Sequence, residues 1–232
     1  MMVLEAVELA KVYTGGDGGT ITVLDGVNLQ VARGEMVAVV GASGAGKSTL
    51  LHLLGALDRP TRGTVRIGGE ALSSRGDEEL SSLRNRMIGF VFQFHHLLRE
   101  FSAAENVMMP LLIAGWSRDR AQRRADDLLA RVGLSGRTKH KPSALSGGEQ
   151  QRTAVARALA MDPAVILADE PSGNLDHANS ELLHDLFAEL ARDLEIAMVI
   201  ATHNRSLAAR ADRTLLLEDG KLTDTDVREV VP

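Results

Sequence analysis

The chain has 232 residues, of which 44% are apolar and 25% charged, and its formal net charge is -5. This length and apolar content suit one large α/β domain with a substantial core, and the acidic balance argues against nucleic-acid binding, which usually requires a basic face. The absence of cysteine excludes disulfides and thiolate metal sites and agrees with a reducing cytoplasm. Apolar runs reach only about eight residues, against about 20 for a membrane-spanning helix, so we expect any membrane role to come through a partner.

The first part of the chain predicts a strand, a glycine-rich loop and a helix in direct succession. Residues 1–35 favour short strands, because apolar and polar residues roughly alternate there. The apolar run 36–40 is typical of a buried parallel strand. A turn at 41–46, a helix over 47–57 and a short strand over 64–67 follow. Strand, loop and helix in this order form the context that a phosphate-binding loop needs.

The second part of the chain predicts helices first and then alternating strands and helices. The stretch from about 95 to 160 has a helical pattern, within which a helix over 121–132 ends at Gly133 as a C-terminal cap. A strand over 165–168, a helix over 179–195, a strand over 196–201 and a hairpin around Asp219-Gly220 come next. This alternation predicts an α/β core with a mainly parallel sheet and an inserted helical subdomain.

One octapeptide carries the chemistry of a phosphate-binding loop. Gly41-Ala42-Ser43-Gly44-Ala45-Gly46-Lys47-Ser48 matches G-x-x-x-x-G-K-[ST] in full. The glycines let backbone N–H groups wrap phosphates without clash, and the following helix adds free donors and a favourable dipole. We expect Lys47 to reach the β- and γ-phosphates and Ser48 to offer its hydroxyl to Mg²⁺, assisted by Thr49.

A second motif delivers two carboxylates to the end of a strand. The apolar run 164–168 is followed by Asp169 and Glu170, and ligands of open α/β sheets bind at the carboxyl ends of the strands. This Walker B pattern predicts that Asp169 holds Mg²⁺, directly or through water. Glu170 is expected to polarise or position an attacking water.

The octapeptide LSGGEQQR at 145–152 resembles the signature motif of ATP-binding-cassette (ABC) ATPases, the engines of ABC transporters. Further elements occur in the order found in that family, and the resemblance covers residues 3–222. It implies a P-loop NTPase of ABC type, with a mainly parallel core sheet flanked by helices, an antiparallel β subdomain and a helical subdomain at about 95–160. Residues 1–232 would then form a single nucleotide-binding domain that hydrolyses ATP with Mg²⁺.

The resemblance also implies roles for residues outside the phosphate loop. Tyr13 lies where the family places an aromatic ring that stacks on adenine. Gln93 matches the Q-loop glutamine near Mg²⁺ and the attacking water, and His203 matches the switch histidine that contacts the γ-phosphate. Residues 172–176 resemble the D-loop, whose Asp176 we include among the nucleotide-binding residues.

The signature motif makes physical sense as an anion-binding site. Ser146, Gly147 and Gly148 precede a helix predicted over 150–160, so the helix N-terminus offers free donors to a phosphate. The resemblance implies that these residues meet ATP held by a second copy of the chain. The expected assembly is a homodimer that sandwiches two ATP molecules.

Within the ABC family, residues 83–113 most resemble the ATPases of bacterial lipoprotein-releasing systems of the LolCDE type. That likeness implies a peripheral protein on the cytoplasmic face of the inner membrane. It also implies that the 94–112 region binds two transmembrane permease subunits, LolC- and LolE-like. Apolar and adaptable side chains that suit such a contact are Phe94, Leu97, Leu98, Phe101, Met108 and Met109.

Other classes of protein share parts of this pattern. MacB-like efflux ATPases and FtsE-like division ATPases resemble the chain in much the same residues, although a MacB-like chain is expected to continue into membrane-spanning helices. ABC proteins of DNA repair insert a long coiled coil before the signature, and ribosomal ones carry two cassettes. A small GTPase or kinase would leave LSGGEQQR unexplained. Two residues differ from the commonest family pattern, Ser172 in place of threonine and Asn204 in place of aspartate.

Overall fold

A computed structural model describes residues 2–16, 18–72 and 75–227. They form two sheets, one of four strands and one of six. The strands are β1 Met2–Thr14, β2 Thr20–Ala32, β3 Met36–Val40, β4 Arg62–Ile67, β5 Glu70–Ala71, β6 Ile88–Phe92, β7 Val165–Asp169, β8 Ala197–Ala201, β9 Arg213–Glu218 and β10 Lys221–Thr225. The helices are α1 Lys47–Leu54, α2 Asp77–Met87, α3 Ala103–Ile113, α4 Arg118–Arg131, α5 Gly147–Ala158, α6 His177–Leu194 and α7 Arg205–Ala208.

The six-stranded sheet forms the core and has the order β10-β9-β3-β8-β7-β6. Strands β9, β3, β8, β7 and β6 run parallel, and β10 pairs antiparallel with β9 at one edge. Strands β3 and β8 are buried along their whole length, as expected for strands covered on both faces. The predicted mainly parallel α/β core is therefore confirmed.

The four-stranded sheet is antiparallel in the order β2-β1-β4-β5. The short strands predicted before residue 36 are in fact two strands of 13 residues each. Several register shifts interrupt their pairing, and such bulges bend a long strand and break its simple alternation. This irregularity explains why the sequence pattern divided them into shorter pieces.

Helices α3, α4 and α5 pack on one another through a shared buried cluster that includes Val107, Leu128 and Val155. These helices lie within the stretch predicted to be helical. Helix α4 ends just before Gly133, whose φ of 75° and hydrogen bond to the carbonyl of Ala130 fit the predicted cap. Helix α2 was not predicted, because only Leu80 and Leu83 of its residues are buried and its apolar periodicity is weak.

The predicted helix boundaries differ from those of the structure by up to three residues, and two of the differences have a clear capping reason. Helix α1 ends at Leu54 rather than at 57, because Ala56 has a left-handed φ of 52°. The N–H groups of Ala56 and Leu57 then donate back to the carbonyls of Leu53 and His52, which is a Schellman motif. Helix α5 begins at Gly147 rather than at 150, because Ser146 caps it. Within the described ranges, no helix is long and apolar enough to cross a membrane.

Candidate functional site

Strand register brings the predicted chemical groups to one edge of the core sheet. Phe92 pairs with Asp169, which pairs in turn with Ala201, and Ala201 pairs with Val39. Gln93, Glu170 and the segment leading to His203 therefore leave three neighbouring parallel strands at the same level. The loop that begins at Gly41 leaves β3 beside them, so the carboxyl edge of the sheet collects these groups.

The loop 41–46 is shaped by three glycines with positive φ. Gly41, Gly44 and Gly46 have φ values of 152°, 82° and 102°. A Cβ on Gly41 would lie 2.4 Å from the carbonyl oxygen of Leu217, and one on Gly46 would lie 2.8 Å from Val23 Cγ1. The loop therefore needs glycine both for its backbone conformation and for its close approach to neighbouring strands.

Helix α1 starts directly from this loop and leaves donors free at its N-terminus. Gly46 occupies the N-cap position without a side-chain hydrogen bond. Lys47 Nζ donates to the carbonyl oxygens of Gly41 and Ala42, at 2.8 and 3.0 Å, so it lies over the loop. Ser48 is exposed and Thr49 half-buried. Uncapped N–H groups, an ammonium and a hydroxyl at one helix start are a suitable cradle for an anion.

Glu170 and His203 are in direct contact. His203 Nδ1 lies 2.8 Å from Glu170 Oε1, and the backbone N–H of His203 donates to Oε2 at 3.3 Å. Glu170 has a φ of 45°, a conformation that non-glycine residues rarely adopt outside functional or turn positions. Asn204 caps helix α7 by accepting from the backbone N–H of Leu207, a role that aspartate fills equally well.

Gln93 contacts the segment that follows β7. Its Nε2 donates to Asn174 Oδ1 at 3.1 Å, and Asn174 Nδ2 donates back to the Gln93 carbonyl at 3.2 Å. A Cβ on Gly173 would lie 2.9 Å from Gln93 Nε2, so the two segments are close-packed. The carboxylate of Asp169 is half-buried at the end of β7. Asn174 lies in the D-loop segment 172–176, but the sequence did not indicate its contact with Gln93.

The signature motif forms a reciprocal capping box at the start of α5. The Ser146 Oγ accepts from the Glu149 N–H at 3.2 Å, and Glu149 Oε2 accepts from the Ser146 N–H at 2.8 Å. Arg137 Nε donates to Glu149 Oε1 at 2.8 Å. This Arg137 hydrogen bond and the Ser146 N–H lower the pKa of Glu149 to about 2. The S-x-x-E spacing at 146–149 could have revealed this box from sequence.

The two glycines of the signature have different surroundings. Gly147 is exposed, and a Cβ there would find its nearest neighbour at 3.8 Å. Gly148 is buried, and a Cβ there would lie 2.3 Å from Asn179 Oδ1. Asn179 also donates to Asp176, from its backbone at 2.9 Å and from its side chain at 2.6 Å. The backbone hydrogen bond holds the pKa of Asp176 below its ordinary value, and Asp176 caps α6.

Ser172, the D-loop residue that differs from the commonest family pattern, has a specific partner on helix α6. Its Oγ lies 2.9 Å from His184 Nε2. His184 is completely buried, and this burial lowers the pKa of its imidazole, against the opposing effect of Glu181. His184 therefore anchors this serine to helix α6.

Tyr13 lies on β1 with 41% of its surface exposed. Its hydroxyl donates to Asp58 Oδ2 at 3.0 Å. Lys11 Nζ lies 4.8 Å from the ring centroid and donates to Asp58 Oδ1 at 2.7 Å. Burial disfavours the Asp58 carboxylate, but hydrogen bonds from Lys11, Arg59 and Tyr13 outweigh it and lower its pKa.

Two residues of α5 support the segment that follows β6, and sequence reasoning did not identify either of them. Gln151 is fully buried; its Nε2 donates to the Phe92 carbonyl at 3.0 Å and its Oε1 lies 2.7 Å from His95 Nδ1. Arg157 donates to the carbonyls of His95 and His96, both at 2.8 Å. The helix of the signature motif thus supports the loop that contains Gln93.

The region 94–112 offers a partly apolar surface. Phe94, Leu98 and Phe101 are 65%, 42% and 39% exposed, and Leu97 and Met109 are half-buried. The inclusion of Met108 in this surface was wrong, because its side chain is fully buried in the helical core. Neighbouring residues of a helix point about 100° apart, and here Met108 faces the core while Met109 is half-buried.

A groove of about 910 Å³ lies beside this region, between the end of α3, helix α2 and strand β6. Its apolar walls include Ile113, Met109 and Leu57, of which Ile113 is 73% exposed. Arg84, Arg86 and Glu78 also line it. A partly exposed apolar groove with charged residues in its lining is typical of a site for a partner helix.

Fold and site together define a phosphate-binding ATPase with a signature motif. The model of the family described as "ABC transporter" matches residues 24–173. The chain is 37% identical to the ATP-binding cassette MJ0796, solved as a dimer in a post-hydrolysis state with ADP and Pi, with a TM-score of 0.87 and coverage of 97% of this chain and 99% of that one. It is 28% identical to cbiO1 of Clostridium perfringens, part of the ABC transporter complex cbiONQ, with a TM-score of 0.86 over 98% and 90% of the two chains.

Relatives of known function are more similar in sequence. The lipoprotein-releasing system ATP-binding protein LolD of Geobacter metallireducens is 55% identical over 219 residues, which cover 94% of this chain and 97% of the relative. LolD of Xanthomonas campestris pv. campestris is 54% identical over 230 residues, 99% of this chain and 94% of the relative. The chain therefore belongs to the ABC transporter ATP-binding family, among the LolD-type proteins. The predicted resemblance and fold class are confirmed, and the efflux and division alternatives are not favoured.

Proposed function

We propose that this chain is the ATP-hydrolysing subunit of an ABC transporter that releases lipoproteins from the bacterial inner membrane toward the outer membrane. The observation that carries the assignment of ATP hydrolysis is the contact between Glu170 and His203. These residues follow strands β7 and β8, and β8 pairs with β3, the strand that leads into the glycine-rich loop. The 55% identity to a LolD protein supports the choice of lipoprotein release. We further propose that residues 1–232 act as one nucleotide-binding domain, with residues of about 95–160 as its helical subdomain.

ATP binds along the loop 41–46 and the start of α1. The backbone N–H groups of the loop, whose residues are Gly41, Ala42, Ser43, Gly44, Ala45 and Gly46, surround the phosphates. Lys47 exchanges its carbonyl partners, Gly41 and Ala42, for the β- and γ-phosphates, which as anions form stronger hydrogen bonds with an ammonium. Thr49 assists nearby, and Tyr13 stacks on the adenine ring.

Mg²⁺ fits the oxygen donors at the start of α1 and the end of β7. Among the described residues, no cluster of three or more His, Cys, Asp or Glu could hold a metal by itself. This suits Mg²⁺, which is usually held by one or two carboxylates together with substrate phosphates and water. Ser48, Asp169 and Gln93 would supply the protein oxygens. When bound, the ion neutralises charge that develops on the phosphate oxygens.

Hydrolysis then uses Glu170, His203 and Gln93. Glu170 orients a water molecule and accepts its proton as the water oxygen bonds to the γ-phosphorus and the bond to ADP breaks. His203 positions Glu170 through the 2.8 Å contact and contacts the γ-phosphate. Most of the rate comes from electrostatic stabilisation of the transferred phosphoryl group by Lys47 and its neighbours.

A second copy of the chain completes each site. Ser146, Gly147 and Gly148 form the N-terminus of α5, and the first two are exposed. These residues and Asp176 meet ATP held on the loop of the second copy, so that two chains enclose two ATP molecules. The structure of MJ0796 as a dimer supports this arrangement.

The membrane partner binds next to the signature helix. We assign two permease subunits, LolC- and LolE-like, to the surface formed by 94–112 and the neighbouring groove, with its exposed Phe94 and Ile113. The chain would then lie as a peripheral protein on the cytoplasmic face of the inner membrane. Gln151 and Arg157 connect this surface to the signature helix through their hydrogen bonds with His95 and His96.

Two measurements test the proposal. Lys47→Ala should weaken ATP binding by at least about tenfold to hundredfold, the value of one charge-assisted hydrogen bond, while the exposed Lys141→Ala should bind ATP normally. Unchanged affinity in Lys47→Ala would show that the loop does not bind the phosphates of ATP.

The second measurement is purification of the chain from membranes, which should recover two different permease subunits. Recovery of a single FtsX-type partner would instead favour a division ATPase.

A further inference from the structure

We infer that Asp58 is the positioning residue of the nucleotide-base platform, and that it ties the Tyr13 ring to the helix that holds the phosphates. The inference rests on the proposed function, because it assigns Tyr13 to the base. Asp58 and Tyr13 are 45 residues apart in sequence and are joined by a hydrogen bond of 3.0 Å. The tyrosine hydroxyl donates, and Asp58 Oδ2 accepts.

The Asp58 carboxylate is held in one orientation by the contacts of its other oxygen. Oδ1 accepts from Lys11 Nζ at 2.7 Å and from the backbone N–H of Arg59 at 2.7 Å. Lys11 itself is 91% buried, with a relative exposure of 9%, and also donates to the Arg59 carbonyl at 2.8 Å. Because Oδ1 is occupied, Oδ2 is left for the tyrosine hydroxyl, and this fixes the end of the ring.

The same lysine acts on the face of the ring. Its ammonium lies 4.8 Å from the Tyr13 centroid, a distance at which a cation is attracted by the π-system. The ring is thus held at its hydroxyl by Asp58 and covered by Lys11, yet 41% of the residue remains exposed. An aromatic ring fixed in this way loses less conformational entropy when a base stacks on it.

Asp58 also connects the ring to the phosphate loop through helix α1. The turn that carries Asp58 is bonded to the end of this helix, since the N–H groups of Leu57 and Asp58 donate to the His52 carbonyl at 2.8 and 3.3 Å. The same turn is bonded to β1 by the Thr61 N–H, which donates to the Ala10 carbonyl at 2.9 Å. Helix α1 starts at Lys47, so one short rigid element joins phosphate and base subsites.

The test compares ATP with inorganic tripolyphosphate, which has phosphates and no base, by calorimetry on the full chain. Asp58→Ala and Tyr13→Phe should each weaken ATP binding by about threefold to tenfold, the effect of one lost positioning hydrogen bond. Both variants should bind tripolyphosphate as the original protein does. The double variant should be no weaker than the stronger single effect, because both changes remove the same bond.

Asp77→Ala is the matched control. Asp77 forms an ion pair of 2.7 Å with Arg59, the residue next to Asp58, and the Asp77 side chain is 92% exposed. The Asp77→Ala substitution should leave the affinities for ATP and for tripolyphosphate unchanged. Tyr13→Phe preserves the ring and guards against a folding defect in Asp58→Ala, which thermal unfolding would reveal. Normal ATP affinity in Asp58→Ala, equal losses for ATP and tripolyphosphate, or additive losses in the double variant would each overturn the inference. Failure of the original protein to bind ATP would instead refute the proposed function.

Discussion

Glu170 and His203 form a two-point contact, in which the carboxylate faces both the imidazole Nδ1 at 2.8 Å and the backbone N–H at 3.3 Å. The two residues follow neighbouring parallel strands whose last residues, Asp169 and Ala201, pair directly. The Glu170 N–H also donates to the Ala201 carbonyl at 2.9 Å. The orientation of this carboxylate is therefore set by the sheet itself.

Glu170→Gln should retain ATP binding, lower ATP turnover by about 100-fold or more, and favour a closed dimer. A glutamine side chain preserves the contact with His203 but cannot accept a proton, and general-base catalysis typically contributes about 10²- to 10⁴-fold. Phosphate release and nucleotide binding measure the two effects separately. Glu195→Gln is the control, because Glu195 has a similar φ of 50° and lies on the surface in an ion pair with Arg33. Full ATPase activity in Glu170→Gln would exclude Glu170 as the base.

Gly148→Ala and Gly147→Ala should separate intrachain from interchain roles of the signature. A methyl group on Gly148 would lie 2.3 Å from Asn179 Oδ1, so we expect a loss of about 1–3 kcal/mol in the free energy of unfolding. Gly147→Ala meets nothing closer than 3.8 Å and should leave the stability of the subunit intact. Its ATPase activity should nevertheless fall, because in the proposed dimer Gly147 contacts ATP held by the second copy.

Urea unfolding and ATPase assays on both glycine variants test these expectations. Normal stability of Gly148→Ala would mean that Asn179 moves aside without penalty. Full activity of Gly147→Ala would remove the exposed start of α5 from the nucleotide site.

Arg157→Met should destabilise the fold by about 2 kcal/mol and reduce kcat. The guanidinium donates to the carbonyls of His95 and His96, and loss of these donors leaves two carbonyl oxygens with weaker partners. Its burial lowers its pKa below the ordinary arginine value. The loop that it supports includes Gln93, so kcat should fall more than KM rises. Arg131→Met, on the exposed surface of α4, is the control for loss of a surface charge, and equal behaviour of both variants would contradict this role.

Glu149→Gln should reduce stability by about 1 kcal/mol at pH 7, the usual value of a helix cap. The pKa of Glu149 is lowered to about 2, first by the Arg137 hydrogen bond, whereas an unfolded glutamate titrates near 4.5. A depressed pKa means that the ionised carboxylate stabilises the fold fully above about pH 4.5, and that this contribution disappears as the pH falls toward 2. Urea unfolding at pH 7 and at pH 3 should therefore give a smaller difference between the two proteins at pH 3. A difference independent of pH would exclude the ionised side chain as its source.

Local sequence patterns predicted the strands and loops that carry the site, but they did not predict helix α2 or the burial of Met108. The apolar run 36–40 and the hairpin at Asp219-Gly220 agree with β3 and with the β9–β10 turn, in which both turn residues have positive φ. Each depends on a few consecutive residues. Helix α2 was not predicted from the sequence, because its residues are mostly polar and only a narrow face of the helix is buried. Met108 was assigned to the surface because neighbouring apolar residues in one helix cannot be separated by composition alone.

The sequence by itself determined that the chain carries a phosphate-binding loop, a strand that ends in two carboxylates and an ABC signature. These are short motifs, and the backbone conformation that each requires is encoded by its own glycines and polar residues. Only the tertiary structure decided which distant residues support them. Asn174 against Gln93, Asp58 against Tyr13 and Arg157 beneath His95 are separated by 45 to 81 residues. Such contacts arise when parallel strands and the helices packed on them bring remote segments together, and no local pattern records them.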